Sequence, residues 1–340
     1  MTSLRARPEV LLPLTAVGVT VVAFALVPTY TEASLTSYDV YSTLQIFARL
    51  GLITLALGLT MIAGEFDLSV VGTYALGGML TVQLGQEHVL YGVLAAVGAG
   101  ALIGLGQGGI IAGLKLPSMP VTLATYIALL GLTNALSDGL TKSYTNVEVT
   151  LWVDQTVLTF FSPRSLITLG LFVLAAIVLG TTRWGRELRA IGGDRRASRV
   201  AGVGVDRLIV GTFVASGALS ALGGSLLSLS LGSANPDPGV QPLILAAAAA
   251  LLGGVSLAGG RGSAMGLLGG IAAVALLAEV ATVAALPGYV TQLFYAALLG
   301  VIVVVDAPDL HDAVLRFRTG RRSDSTPVPA PAEPKEDTRA

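Results

Sequence analysis

The chain has 340 residues, 53% of them hydrophobic and only 12% charged, with a net charge of −1. A soluble domain carries about twice that charged fraction, so the composition excludes an ordinary water-soluble globule and indicates an all-α polytopic membrane protein. It has no cysteine, and His88 and His311 are its only histidines, which excludes disulfides, thiolate metal sites and the dyads an intramembrane hydrolase needs. No HExxH zinc motif and no GxxxxGK[ST] phosphate loop occurs. The expectation is a chain with no metal site, no cofactor of its own and no nucleic-acid partner.

After Arg5 and Arg7, residues 10–30 are almost wholly apolar. This run is longer than the core of a signal peptide and reads as an uncleaved first span. Further apolar segments fall roughly at 44–63, 68–84, 89–113, 119–137, 165–182, 208–232, 242–258, 264–283 and 289–305. At 1.5 Å per residue and a hydrocarbon core ~30 Å thick, these make about ten transmembrane helices. Charge orients them. With the N-terminus inside, the inner segments carry Arg5, Arg7, Lys115, seven arginines between 183 and 207, Arg261 and the arginines of the C-terminal tail. The outer segments hold only Lys142 and Arg164 as cations. Both termini, the 183–207 loop and Arg261 are therefore expected in the cytoplasm, with 138–164 outside and its Trp152, Phe160 and Phe161 at the membrane surface. Spans 2–5 and 7–10 then start from opposite faces, as an inverted repeat requires. Residues 1–312 form one transmembrane domain on this reading, and the polar, proline-rich 313–340 a disordered cytoplasmic tail.

Three stretches interrupt the apolar pattern. In the arginine loop, Asp194 can N-cap a helix over 195–201 that Gly202 ends. Ala197, Val200 and Ala201 share one face of it, and Arg195, Arg196 and Arg199 cover the rest. Two turns are too short to be stable alone in water, so this helix needs a partner. The second stretch is Gly64-Glu65-Phe66-Asp67-Leu68-Ser69. Gly64, Glu65, Asp67 and Ser69 read either as a broken helix lining a path or, more plainly, as Gly64 ending span two and Asp67 capping span three. The third holds Gly253, Gly254, Ser256, Gly259, Gly260, Arg261 and Gly262. It sits between two membrane helices and reads as a site of close approach and sharp turning, with Ser263 capping the next span. Alanines 246–250 are small packing residues. Arg49 and Glu279 fall just inside spans near the outer surface, and either snorkel outward, the preferred reading, or line a polar pathway.

Together these stretches resemble the permease subunit of ABC-type monosaccharide importers, the ribose/xylose/galactose group within the family that includes branched-chain amino-acid permeases. Gly64 to Val70 is similar to that family's Gly-x-x-Asp-Leu-Ser-Val. Leu116-Pro117 with Val121-Thr122-Leu123 is similar to its segment opening a following span. Gly185-Arg186 and Ala190-Ile191-Gly192-Gly193-Asp194 through Val203 resemble its cytoplasmic coupling loop, and Leu252 to Ser263 is the nearest match. Two places depart: Leu243, Ile244 and Leu245 stand where an acidic Glu-Leu-Asp triplet is usual, and Val71 where glycine is common. The departures weaken the expectation of a ribose-like sugar.

The resemblance implies a multi-pass subunit of the bacterial inner membrane that performs no catalysis. It implies pairing with a second permease, identical or sibling, and with cytoplasmic ATPases that hold ATP and magnesium. An extracytoplasmic binding protein would deliver a small polar solute, membrane lipid would surround the spans, and residues 194–202 would couple to the ATPase. The alternatives are an ion-coupled secondary transporter and an ABC permease for a branched-chain amino acid or nucleoside.

Overall fold

A computed structural model describes residues 8–30 and 36–306. The expectations for Arg5, Arg7, His311 and the 313–340 tail lie outside the described residues. The chain is almost entirely helical: α1 (Pro8–Tyr30), α2 (Ser37–Ile62), α3 (Val70–Leu84), α4 (Val89–Leu114) and α5 (Ser118–Ser137) come first. A short strand β1 (Lys142–Ser143) and helix α6 (Val147–Asp154) precede α7 (Pro163–Thr181), and then come α8 (Arg183–Gly193) and α9 (Arg195–Val200). Helix α10 (Val205–Leu231), strand β2 (Ser233–Ala234), α11 (Gln241–Leu252), α12 (Ala264–Val283) and α13 (Gly288–Asp306) complete it. The two strands pair antiparallel and tie the 138–146 loop to the end of α10.

Each predicted span overlaps one apolar helix. Six of them, α2, α4, α5, α7, α10 and α12, are long and apolar enough to cross a membrane. Two differ from expectation. Helix α2 starts at Ser37, where Thr36 and Asp39 form a capping box, so Arg49 lies near the middle of the helix rather than near its end. Helix α11 stops at Leu252 instead of continuing to 258, because Gly254 adopts φ +76°. Around it the Gly254 amide donates to the Leu251 carbonyl at 2.9 Å and the Val255 amide to Ala250 at 3.1 Å. The end of α2 has the same closure: Gly64 at φ +76°, its amide on Met61 and the Glu65 amide on Thr60, both at 2.9 Å. Crossed bonds of this kind satisfy the last carbonyls of a helix. Helices α3 and α11, with 15 and 12 residues, are about 22 and 18 Å long, shorter than the neighbours they lie against.

Packing follows the small residues. Helix α10 runs along α4 and α3, α2 runs along α12 and α11, and α2 and α10 cross each other. In lipid there is no hydrophobic drive between helices, so association depends on close backbone approach. A Cβ on Gly217 of α10 would stand 2.0 Å from the Gly100 carbonyl of α4, and one on Gly270 of α12 would stand 1.9 Å from the Ala249 carbonyl of α11. Alanines 246–250 are all buried, as expected of packing residues. Leu94, Leu102, Leu123, Ile127, Val173 and Ile177 remain exposed on α4, α5 and α7, an apolar girdle suited to lipid.

Candidate functional site

The three interrupted stretches meet at one end of the bundle. Asp194 caps α9 as expected, its Oδ1 accepting the amides of Arg196 at 2.8 Å and Ala197 at 2.9 Å. The helix ends at Val200, one residue early, and Gly202 turns the chain at φ +81°. Arg195 reaches across to the end of α2. Its Nη2 pairs with Glu65 Oε1 at 2.5 Å and donates to the Gly64 carbonyl at 3.2 Å. Glu65 is buried and Arg195 half-buried.

Gly192, the penultimate residue of α8, sits between the two glycine turns. A Cβ there would lie 2.0 Å from the Ile62 carbonyl and 2.5 Å from the Gly260 nitrogen, and one on Gly259 would lie 2.5 Å from the Gly64 Cα. The Gly260 amide donates to the Ile62 carbonyl at 3.0 Å. Gly253 backs onto Gly266, and Gly262 onto Ile62 and Val255. Arg261 is exposed and donates to the Ser256 hydroxyl at 3.2 Å. Ser263 caps α12 by accepting the Gly266 amide at 3.0 Å.

The face of α9 that carries Ala197, Val200 and Ala201 touches none of this. All three are exposed, Val200 by 87%, whereas Ser198 points inward and is buried. Arg199 pairs with Asp206 at 2.8 Å, and Arg196 is exposed. This exposed apolar face lies on a short helix that the Arg195–Glu65 ion pair ties to the end of α2.

Asp67 is not the cap of α3, contrary to expectation. The first helical residue after it is Val70 and the cap position is Ser69, whose side chain makes no cap bond. Asp67 Oδ1 accepts from the Ser69 amide at 3.0 Å and the Ser69 hydroxyl at 2.6 Å, and Oδ2 accepts from the Ser216 hydroxyl of α10 at 2.8 Å. The Gln107 amide of α4 lies at 3.5 Å, and its carbonyl oxygen accepts from Ser69. The carboxylate is fully enclosed and ties three helices together. Neighbouring amides are anchored too, since Phe66 donates to Ser118 and Leu68 to Thr122 of α5. The break between α2 and α3 is therefore irregular backbone packed against protein, a setting in which a membrane span tolerates it.

The outer charges differ from expectation. Glu279 is buried, not snorkelling, and accepts the Ser42 hydroxyl at 2.7 Å. Arg49 is exposed and lines an open cavity of mixed polar and apolar surface between α2, α3, α10, α11, α12 and α13. Sequence reasoning also missed a cluster at the bundle end opposite the arginine loop. There Arg164, 4% exposed, pairs with Asp154 at 3.2 Å and donates to Gln45 at 2.6 Å, while Ser230 donates to Asp154 at 2.5 Å. The available signal was two opposite charges in one outer loop. Among the described residues, no group of three His, Cys, Asp or Glu side chains is placed to hold a metal ion.

Comparison with known proteins agrees with this architecture. The family described as "Branched-chain amino acid transport system / permease component" matches residues 40–305. The chain is 32% identical over 244 residues to the fructose import permease protein of Rhizobium meliloti, covering 67% of this chain and 66% of that one. It is 32% identical over 277 residues to the ribose import permease protein of Haemophilus influenzae, covering 74% and 80%. To the L-arabinose transport system permease protein of Escherichia coli it is 31% identical over 229 residues, covering 65% and 68%. No solved structure gives a significant match. An all-α membrane bundle whose interrupted helices, arginine loop and glycine turn all fall inside the matched region belongs to the family of branched-chain amino acid transport permease components.

Proposed function

We propose that this chain is the translocation subunit of an ATP-driven importer that moves a monosaccharide or related small polar solute into the cell. Its relatives are named as importers of fructose, ribose and arabinose. The observation that carries the mechanism is the exposed Ala197–Val200–Ala201 face of α9, joined from behind to the α2–α3 break by Arg195 and Glu65. A separate ATPase docks on that face. When the ATPases close and open, the movement of α9 passes directly to the ends of α2 and α11, and the bundle rocks between outward and inward states. ATP and magnesium belong to the ATPase, and this chain binds no cofactor.

The arginine loop marks the cytoplasmic end, with both termini on that side and ten crossings in all. Residues 1–312 are the permease domain and 313–340 a tail. Helix lengths support an inverted repeat of spans 2–5 and 7–10: 26, 15 and 26 residues in α2–α4 against 27, 12 and 20 in α10–α12. The long helix of each half packs on the next two of the other, as an interleaved pair does. A second permease, identical or sibling, and an extracytoplasmic binding protein complete the importer.

Ala201→Glu tests the docking face, because it adds an acidic side chain without touching the arginines. It is expected to insert and express normally, to lose co-purification with its partner ATPase, and to abolish transport-linked ATP hydrolysis. Full transport by Ala201→Glu in reconstituted vesicles overturns the coupling role. Buried Asp67 and Glu279 favour one rival, an ion-coupled carrier. Yet Asp67 already accepts three short hydrogen bonds and Glu279 one. Uptake that persists in vesicles without any ATPase or ATP decides for that rival.

A further inference from the structure

The cavity at the end opposite the arginine loop has a volume of about 510 Å³, within the ~300–1,000 Å³ range of small-molecule sites. It is lined by the α11, α12 and α13 ends and by Arg49, twelve residues past Ser37 in the 26-residue α2, about 18 Å along that helix. Arg49 is exposed in the single chain, and a charge this far along a membrane span is rare unless it serves a polar pathway. Among the described residues lining the cavity, Arg49 is the one charged side chain and no carboxylate is present. Its guanidinium forms no ion pair with any described residue. Tyr74 holds the backbone beneath it, the phenol donating to the Arg49 carbonyl at 3.1 Å. Gln241, Gln292 and Thr282 line the walls with neutral donors and acceptors, and Tyr74 and Tyr295 add aromatic surface.

We infer that this cavity is the solute chamber on the outer side, and that it selects a sugar acid, a monosaccharide carrying a carboxylate, over the neutral sugar. The inference deepens the importer reading and rests on it. The amide and hydroxyl side chains satisfy sugar hydroxyls, which neutral sugars and sugar acids share. The charge distinguishes them. A solute that enters displaces the water around Arg49, and a neutral solute leaves the cation without a counter-charge in a cavity walled by apolar helices. A carboxylate meets the planar fork with two parallel hydrogen bonds and restores neutrality.

The native chain has no cysteine, so a single Leu286→Cys at the cavity mouth gives a clean reporter in the full-length permease in nanodiscs. The readout is the rate at which a maleimide labels it, with D-glucuronate, D-galacturonate, D-glucose or D-galactose present. The expected result is protection by a uronate at about tenfold lower concentration than by its neutral parent, a difference of ~1.4 kcal/mol. Arg49→Gln is expected to erase the difference, and Arg49→Lys to keep part of it. Equal protection by acid and parent overturns the selectivity and leaves a neutral-sugar chamber. No protection by any of the four overturns the chamber itself. The comparison with Arg49 intact stands even where Arg49→Gln fails to fold. Failure of the importer reading shows separately, as absence of ATPase co-purification.

Discussion

Asp67 and Arg195 show how single side chains set the energetics of the break. Had Asp67 served only as a helix cap, Asp67→Asn would cost little, because asparagine caps equally well. Its bonds to Ser69, Ser216 and Gln107 change that expectation. Asp67→Ala strands enclosed donors at about 1–3 kcal/mol each and should prevent accumulation of folded protein. Asp67→Asn keeps one acceptor oxygen and should fold with a clearly lowered melting temperature in detergent. The Glu65–Arg195 pair is asymmetric, since the carboxylate is buried and the guanidinium is partly open to water. Arg195→Ala leaves the buried Glu65 charge unpaired, at a cost below the ~3–5 kcal/mol of fully buried pairs because water reaches the guanidinium side. Glu65→Gln removes the buried charge and keeps a hydrogen-bond acceptor. Thermal unfolding should therefore rank Arg195→Ala as the more damaging change, and the reverse ranking would remove the buried-pair account.

The helices meet through glycine, and the fit varies sharply along a single helix. A Cβ at Gly217 or Gly192 would enter a facing backbone carbonyl, while Gly98 and Gly106 on α4 have nothing within 4 Å. Gly98→Ala and Gly106→Ala should be neutral or slightly stabilising, because alanine is favoured by ~1 kcal/mol inside a helix. Gly217→Ala must separate α10 from α4 and should cost several-fold in the yield of monodisperse protein. Gly192→Ala acts on one junction only. It pushes α8 away from Ile62 and Gly260, so the expected effect is a folded protein with weakened coupling between ATP hydrolysis and uptake. Measuring both activities in proteoliposomes separates this from a general folding defect.

At the scale of the whole molecule, topology is open to direct test with introduced cysteines. Ser198 is the obvious position in the arginine loop by sequence, but it is buried and would report poorly. Val200, 87% exposed, and Leu158, 77% exposed, are suitable. Val200→Cys should react with an impermeant thiol reagent only after the membrane is opened, and Leu158→Cys should react in intact cells. The opposite pattern would invert the bundle. The Arg164–Asp154–Gln45 cluster holds α6 and α7 together at the Leu158 end, so Arg164→Leu should loosen that cap and speed proteolysis of the 138–162 segment.

Hydropathy placed the apolar helices, and residue type the cap at Asp194, because these depend on neighbours a few residues away. A run of apolar side chains, an acidic residue before a helix and a glycine after it act locally and leave their pattern in the chain. The same locality explains the errors: Gly253 and Gly254 mark a turn, but Val255, Leu257 and Ala258 continue the apolar run and carry the predicted span past the point where Gly254 closes α11. What joins distant segments was invisible. Glu65 and Arg195 lie 130 residues apart and Asp67 and Ser216 lie 149 apart, and no periodicity in one segment specifies a partner in another. Sequence alone therefore determined the class of molecule, the helices and the separate motifs. Only the tertiary structure decided that the three motifs form one junction, that Glu279 turns inward and that Arg49 faces a cavity. Those outcomes depend on which helix backs onto which, and that is set by close contacts between glycines far apart in the chain.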